Sequence, residues 1–172
     1  MALVRPELRF LLTFVGFWFA LLMLSAWFFG AWNDNQNNPN QQVTSQTRNG
    51  SVEVELEANR QGHYLANGTI NSHPVTLILD TGATTVSVSQ EIADQADLQR
   101  EQRGRARTAA GTVDVWSTTI RELRLGDITF RNVAATINPS MDPDMVLLGM
   151  SALGQIEFSQ QQGKLTLKQT GQ

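Results

Sequence analysis

The feature that most constrains this 172-residue chain is a long run without charge near its N-terminus. No charged residue occurs from Phe10 to Asn33, and 19 of the 23 residues from Phe10 to Trp32 are hydrophobic. As a helix, this run would measure about 34 Å, enough to cross a hydrocarbon core of about 30 Å. It predicts a transmembrane helix over residues 10–32 and leaves residues 51–172 for one compact domain.

Charges on either side of this run predict its orientation. Arg5 and Arg9 precede it, whereas Asp34 follows it and no base occurs again until Arg48. The positive-inside rule therefore places residues 1–9 in the cytoplasm and the C-terminal domain in the periplasm, with the helix in the inner (cytoplasmic) membrane. The alternative is a cleaved signal peptide, whose apolar region is 7–15 residues long and ends at a small-x-small site. The longer run and the bulky sequence 26–30 favour an uncleaved anchor.

Residues 33–50 are rich in Asn and Gln, and Val43 is their only hydrophobic residue. So little apolar surface cannot offset the entropy lost on ordering, which predicts a flexible linker over 33–50.

Charge and composition exclude several classes of function for residues 51–172. This segment carries ten Lys or Arg against 14 Asp or Glu, so nucleic acid is not an expected partner. The chain has no cysteine, which rules out disulfides, thiol nucleophiles and cysteine-zinc sites.

Hydrophobic periodicity predicts a mainly β domain with one or two short helices. Residues 51–57 alternate, with Val52, Val54 and Leu56 on one face and glutamates on the other. Ser89 is a candidate N-cap for a helix that reaches about Asp97. Further strands are predicted at 63–71, 74–79, 85–88, 105–109, 112–119, 119–125, 128–137, 145–148, 156–159 and 164–168, with a helical turn at 150–153.

The sharpest chemical feature is Asp80-Thr81-Gly82-Ala83, at the end of the apolar strand 75–79. A carboxylate at the boundary of a core is costly unless it is paired. Asp and Gly are also ordinary turn residues, so the motif alone allows a structural turn. A second apolar segment, Val146-Leu147-Leu148-Gly149, and an intervening small-residue hairpin tip at Ala110-Gly111 give it context.

Together these segments resemble the retropepsin-like aspartic proteases of clan AA, and within them the bacterial family with a single N-terminal membrane anchor. Leu148-Gly149-Met150-Ser151-Ala152-Leu153 and Gly163-Lys164-Leu165-Thr166-Leu167 are also typical of that branch. The resemblance covers about residues 62–168 and implies a closed β-barrel of the acid protease fold, one lobe per chain. Because the chain holds one Asp-Thr-Gly, it further implies a homodimer, with terminal strands such as 52–57 and 165–168 at the dimer interface.

The activity that this resemblance implies is endopeptidase cleavage of a protein or peptide substrate. Asp80 from each of two copies would share one proton and activate a water, with no cofactor or metal. Thr81 would brace the pair by hydrogen-bonding across the interface. The hairpin around residues 109–111 would act as a flap. The implied catalytic residues are Asp80, Thr81 and Gly82; those binding substrate are Ala83, Ala109, Ala110, Gly111 and Trp116; those supporting the site are Leu147, Leu148 and Gly149.

Other interpretations of the sequence remain open beside this one. A non-catalytic module could use the same groove to bind a peptide or partner, and a monomeric structural protein is a weaker possibility. His63 and His73 with Asp80 lack a recognisable metal-ligand spacing. Ser87 and Ser89 have no suitably placed base, and the basic stretch 100–107 is expected to be a solvated loop.

Overall fold

The computed structural model describes residues 6–108 and 111–170. The chain divides into two compact units, the first ending at Gln36 and the second beginning at Asn37. The first is helix α1 (Pro6–Asn37). From Phe14 to Phe29, its large aromatic and aliphatic side chains are exposed, Leu22 by 67% and Trp27 by 71%. The helix is long and apolar enough to cross a membrane from Phe14 to Asn37, although a signal sequence shares this length and composition.

The segment expected as a flexible linker contains ordered structure. Asn40 is buried, and its side-chain amide donates to the carbonyls of Glu57 and Leu65, at 2.9 and 2.6 Å. Its amide oxygen accepts from the Glu57 N–H at 2.8 Å. The composition of the segment does not predict this order, because a single Asn side chain can satisfy three backbone groups at the ends of two strands.

A strand also forms within that segment. Strand β1 (Ser45–Arg48) pairs antiparallel with β2 (Ser51–Glu57) through a turn at Asn49 and Gly50. Both turn residues have positive φ, 52° and 76°. Asn-Gly is the favoured pair for such a two-residue hairpin turn, so the signal was present in the sequence.

The first sheet of the second unit has four strands. It consists of β1, β2, β10 (Glu157–Gln161) and β11 (Lys164–Thr170) in the order β1-β2-β11-β10. β2 and β11 are both interior, because each is hydrogen-bonded on both sides. The expectation that residues 52–57 and 165–168 pair with a second chain is therefore wrong, and the edges are β1 and β10.

The second sheet has seven strands and closes on itself. Its order is β3-β4-β9-β5-β8-β7-β6, and β3 also pairs with β7, so that six strands form a ring. A side chain at Gly68 would collide with the backbone carbonyl of Arg124, so glycine permits the closing contact. The strands are β3 (Leu65–Ile70), β4 (His73–Leu79), β5 (Val86–Ser89), β6 (Arg103–Thr108), β7 (Gly111–Leu125), β8 (Ile128–Asn138) and β9 (Met145–Leu148).

One hydrophobic core joins the ring to the four-stranded sheet, from which Leu56 and Leu167 contribute. Alternate residues of the ring strands point inward, and Ile120, Leu123, Phe130, Ile137 and Leu148 are completely buried. The domain is thus mainly β, as predicted. Two predicted strands, 112–119 and 119–125, are one continuous strand, because the β7–β8 register runs through the junction.

Two short helices complete the fold. In α2 (Gln90–Gln95), the Ser89 hydroxyl accepts a hydrogen bond from the Ile92 N–H, which confirms the predicted N-cap. The second is α3 (Met150–Leu153), directly after β9. It places one helical turn beside the loop that follows β4, where Asp80 lies.

Asn40→Ala should destabilise the second unit, because it leaves three backbone groups at the β2 and β3 ends without their partner. We expect the free energy of unfolding to fall by about 1–3 kcal/mol. Urea denaturation of the full chain in detergent micelles, followed by circular dichroism, measures this. Gln42→Ala, at an exposed position nearby, is the control, and equal midpoints for both variants would contradict the role of Asn40.

Candidate active site

Asp80 lies immediately after β4, where two parallel strands hold the chain. β4 pairs with β9, with Leu79 opposite Leu148, and the Asp80 N–H donates to the Leu148 carbonyl at 3.1 Å. On the other side, the Leu79 N–H donates to the Tyr64 carbonyl at 3.0 Å. The backbone that carries the carboxylate is therefore fixed from both sides.

The loop after Asp80 also fixes the carboxylate itself. One oxygen, Oδ1, accepts from the Gly82 N–H at 2.9 Å, and the Asp80 carbonyl accepts from the Ala83 N–H at 3.2 Å. A Cβ at Gly82 would lie 3.1 Å from Oδ1, closer than ordinary van der Waals contact. Thr81 and Gly82 are exposed, and Asp80 is half-buried. The loop thus presents a positioned carboxylate and the Thr81 hydroxyl at the surface.

Gly149 and the first turn of α3 pack directly against the backbone of this loop. A Cβ at Gly149 would lie 2.8 Å from the Ala83 carbonyl oxygen and would collide with the Thr85 backbone. The Met150 N–H donates to the Ala83 carbonyl at 2.8 Å, and the Ser151 N–H to the Thr84 carbonyl at 3.0 Å. The helix therefore uses two unpaired N-terminal N–H groups to hold the loop.

The Ser151 side chain adds a contact that sequence reasoning missed. Its hydroxyl donates to the Ala134 carbonyl at 2.7 Å and accepts from the Val86 N–H at 3.0 Å. It thereby ties α3 to β8 and to the start of β5. The only sequence signal was a serine in the first turn after a glycine, a pattern common to helix starts.

An open cleft of about 770 Å³ begins at Asp80 and extends beneath the β6–β7 hairpin. It brings together four predicted residues: Asp80, Gly82, Ala83 and Leu147. The other residues that line the cleft were not predicted as site residues. They come from the segment after Ala83, from the β6–β7 hairpin and from the end of β8 with the loop after it: Thr84, Thr85, Ser87, Ala106, Arg107, Thr108, Val113, Thr136, Asn138, Ser140 and Met141.

The hairpin predicted as a flap is formed by β6 and β7. β6 and β7 pair antiparallel up to Thr108 opposite Gly111, and Gly111 has a φ of 125°. Ala109 and Ala110 lie outside the described residues. Arg103 to Thr108 form β6, which overlaps the predicted strand 105–109 and begins two residues earlier, because β7 supplies a full set of backbone partners. Arg103, Arg105 and Arg107 are exposed, as expected of a solvated stretch, but the stretch is not a loop.

Trp116 is not among the residues that line the cleft. It lies in β7, half-buried against the core, with the Arg100 guanidinium 5.3 Å from its ring centroid. Val113 of the same strand lines the cleft instead. Sequence alone could not decide this, because the face of β7 that meets the cleft depends on how the hairpin folds over the domain.

The two candidate serines make local hydrogen bonds. The Ser89 hydroxyl caps α2 and donates to the Pro143 carbonyl at 2.7 Å, and Ser87 hydrogen-bonds Thr136 at 3.0 Å. His63 precedes β3 and His73 begins β4. Within residues 6–108 and 111–170, no group of three or more acidic or histidine side chains is arranged to hold a metal ion.

A closed, mainly β domain with an Asp-Thr-Gly loop braced by a Leu-Gly strand end and a helical turn defines the retropepsin-like aspartic protease class. The chain belongs to the family described as "gag-polyprotein putative aspartyl protease", whose model matches residues 66–155.

Two individual proteins illustrate the likeness. The crystal structure of a retropepsin-like aspartic protease from Rickettsia conorii superposes with a TM-score of 0.57 at 23% identity, covering 74% of this chain and 94% of that one. An uncharacterized protein in the cobV 5' region of Sinorhizobium sp is 30% identical over 114 residues, 64% of this chain. The match spans about half of that relative, 49% of its length.

Gly149→Ala tests the backbone contact beneath the loop. The added methyl must displace the backbone of residues 83–85, so we expect about 1–3 kcal/mol of destabilisation. Gly104→Ala is the matched control, since its Cβ would meet nothing within 4 Å. Thermal unfolding of the two full-length variants measures the difference. A Gly149→Ala protein as stable as the Gly104→Ala protein would contradict the contact.

Proposed function

We propose that this chain is a membrane-anchored aspartic endopeptidase that acts as a homodimer. The observation that carries the proposal is the Asp80 carboxylate, held by Gly82 at the mouth of a cleft large enough for a peptide. Membership in an aspartyl protease family supports the reaction class. A single Asp-Thr-Gly in the sequence supports the need for two copies.

The proposed reaction uses Asp80 from each copy. Two adjacent carboxylates cannot both stay ionised, so the pair holds one proton. The ionised carboxylate takes a proton from a water, whose oxygen bonds to the peptide carbonyl carbon while the protonated carboxyl donates to the carbonyl oxygen. The C–N bond then breaks, and a proton passes to the leaving amine.

Other parts of the chain take supporting roles in this proposal. The exposed Thr81 hydroxyl braces the two loops across the dimer interface. The β6–β7 hairpin closes over an extended peptide and excludes water. Leu148 and Gly149 hold the loop, as their contacts with Asp80, Ala83 and Thr85 support. Leu147 contributes by pairing with Ile78 and Ser87 in the strands on either side of the loop.

The proposed location is the inner membrane, with the domain in the periplasm. The uncharged run from Phe10 to Asn33 within helix α1 supports the anchor, and Arg5 and Arg9 before that run support the orientation. Confinement to one surface would raise the effective concentration of two weakly associating domains, so anchor density would control activity.

Asp80→Asn separates this proposal from a non-catalytic binding module on the same fold. The amide cannot act as base, so cleavage of a mixed peptide library should fall by about 10²–10⁴-fold, while folding is retained. Asp127→Asn, in an exposed β7–β8 turn, is the matched control and should keep full activity. Mass spectrometry of the products measures this. No cleavage by the parent chain, together with peptide binding that survives Asp80→Asn, would favour the binding module.

Mixing experiments test whether two chains form one site. When parent and Asp80→Asn chains exchange subunits at equal amounts, half of the parent chains enter mixed dimers with a single carboxylate. Activity per parent chain should then fall to about half. Unchanged activity per parent chain, with exchange verified by native mass spectrometry, would show that one chain suffices.

A further inference from the structure

The floor of the cleft carries a row of polar side chains. The strand register places Leu147 of β9 and Thr136 of β8 on either side of Ser87 in β5, so these side chains share one face of the sheet. Asn138 lies two residues beyond Thr136 and therefore on that same face. All four residues line the cleft. We call Ser87, Thr136 and Asn138, which are all half-buried, the polar row.

The hydroxyls of Ser87 and Thr136 form a pair that keeps a free acceptor. Their oxygens lie 3.0 Å apart, and either atom can be the donor. The Thr136 hydroxyl has a second acceptor within reach, the Val86 carbonyl at 3.5 Å. A hydroxyl has one hydrogen and two lone pairs, so the Ser87 oxygen keeps at least one unused lone pair in either arrangement. The pair can therefore accept a hydrogen bond from a group in the cleft.

Asn138 adds a donor to the polar row. Its amide oxygen, Oδ1, accepts from the Ser140 N–H at 3.0 Å. This bond assigns the two ends of the amide, because the other atom, Nδ2, can only donate. Nδ2 has no hydrogen-bond partner among the described residues, so its hydrogens are available to a group in the cleft. The polar row thus offers an acceptor at Ser87 and a donor at Asn138.

We propose that the polar row is a subsite for an uncharged carboxamide side chain, Asn or Gln, of the peptide substrate. The NH₂ group of the carboxamide donates to the Ser87 oxygen, and its carbonyl oxygen accepts from Asn138 Nδ2. The inference rests on the proposed function, because it assigns a substrate preference to the cleft that begins at Asp80. Ser87 and Asn138 determine specificity in this proposal and do not contact the reacting atoms.

Charge and hydrogen bonding disfavour the other classes of side chain. Among the described residues that line the cleft, Asp80 is the only carboxylate, so the polar row offers no ion pair to Lys or Arg. A carboxylate could use the Asn138 donor, but the lone pairs of Ser87 would repel it. An apolar side chain would leave Ser87 and Asn138 without partners once the hairpin excludes water, and such unpaired groups are costly.

The order of the strands indicates which substrate residue reaches this subsite. Only β9 separates β5 from β4, the strand that Asp80 follows. Two strand spacings of about 4.8 Å and an offset of two residues along the strands put Ser87 about 12 Å from Asp80. An extended peptide rises about 3.3 Å per residue, so the subsite takes a side chain about two or three residues from the scissile bond.

Peptide sets with one varied residue test the preference. A peptide that the parent chain cleaves is resynthesised with Asn, Leu or Asp at each position near the scissile bond. Asn and Leu are similar in size and shape, so they differ mainly in hydrogen bonding. For the full chain in detergent micelles, kcat/KM should be about tenfold higher with Asn than with Leu at the second or third residue. A preference for Leu at every position, or for Asp over Asn there, would overturn the proposal.

Ser87→Thr and Ser87→Val connect this preference to the polar row, because the two variants have the same shape and differ in one hydroxyl. The Thr variant should keep the preference for Asn, and the Val variant should lose it. Thr129→Val, half-buried in β8 and outside the cleft lining, is the control and should keep the parent ratio. Equal Asn-to-Leu ratios for the Thr and Val variants would overturn the role of Ser87. Ser87→Ala serves as the second variant if Ser87→Val does not fold.

Binding separates this inference from the catalytic proposal. Fluorescent Asn and Leu peptides are titrated with the full-length Asp80→Asn chain, which retains the polar row; if the parent cleaves nothing, library peptides that it binds supply the sequence. A dissociation constant about tenfold lower for the Asn peptide, without cleavage by the parent, would support the subsite and count against the endopeptidase. Cleavage without a preference for Asn would do the reverse. No cleavage and no binding would overturn both.

Discussion

The contact between the α3 start and the loop after β4 determines where Asp80 sits. Gly149 has no side chain, so the backbone of residues 83–85 can lie directly against it. Two N–H groups of α3 then hold two carbonyls of that loop. With β4 and β9 in parallel register just before it, the carboxylate is held by backbone contacts rather than by flexible side chains. In the proposed homodimer, such rigidity would hold Asp80 in position against the Asp80 of the second chain.

One chain carries only half of the proposed chemistry. The described chain supplies one half-buried Asp80 carboxylate, and a second groove opens on its other side, lined by Leu79, Thr81 and Phe158. In the proposed homodimer, a second chain would supply the other carboxylate, and the pair would share one proton.

Local signals in the sequence were enough for much of the fold. Alternation defined β2, the predicted strands 63–71 and 74–79 correspond to β3 and β4, and Ser89 identified the start of α2. The Asp-Thr-Gly and Leu-Gly motifs identified the loop and its support because their spacing is tied to one class of fold. Those elements were predictable because each depends on neighbours close in sequence.

What sequence reasoning missed depends on contacts between distant residues. Asn40 looked like part of a polar linker because only its pairing with Glu57 and Leu65 makes it structural. The closing of the ring by β3 and β7 needs Gly68 beside Arg124, far away in sequence. The lining of the cleft also depends on residues that are distant in sequence. The way the β6–β7 hairpin folds over the domain places Val113, rather than Trp116, against the cleft.

The central claim is that two chains share one catalytic site, and binding stoichiometry tests it most directly. A library of peptide analogues with a secondary hydroxyl in place of the scissile carbonyl mimics the tetrahedral intermediate. Native mass spectrometry of the full chain in micelles should show one bound analogue per two chains, and none with Asp80→Asn. One analogue per chain, or binding that is unchanged in Asp80→Asn, would contradict the account.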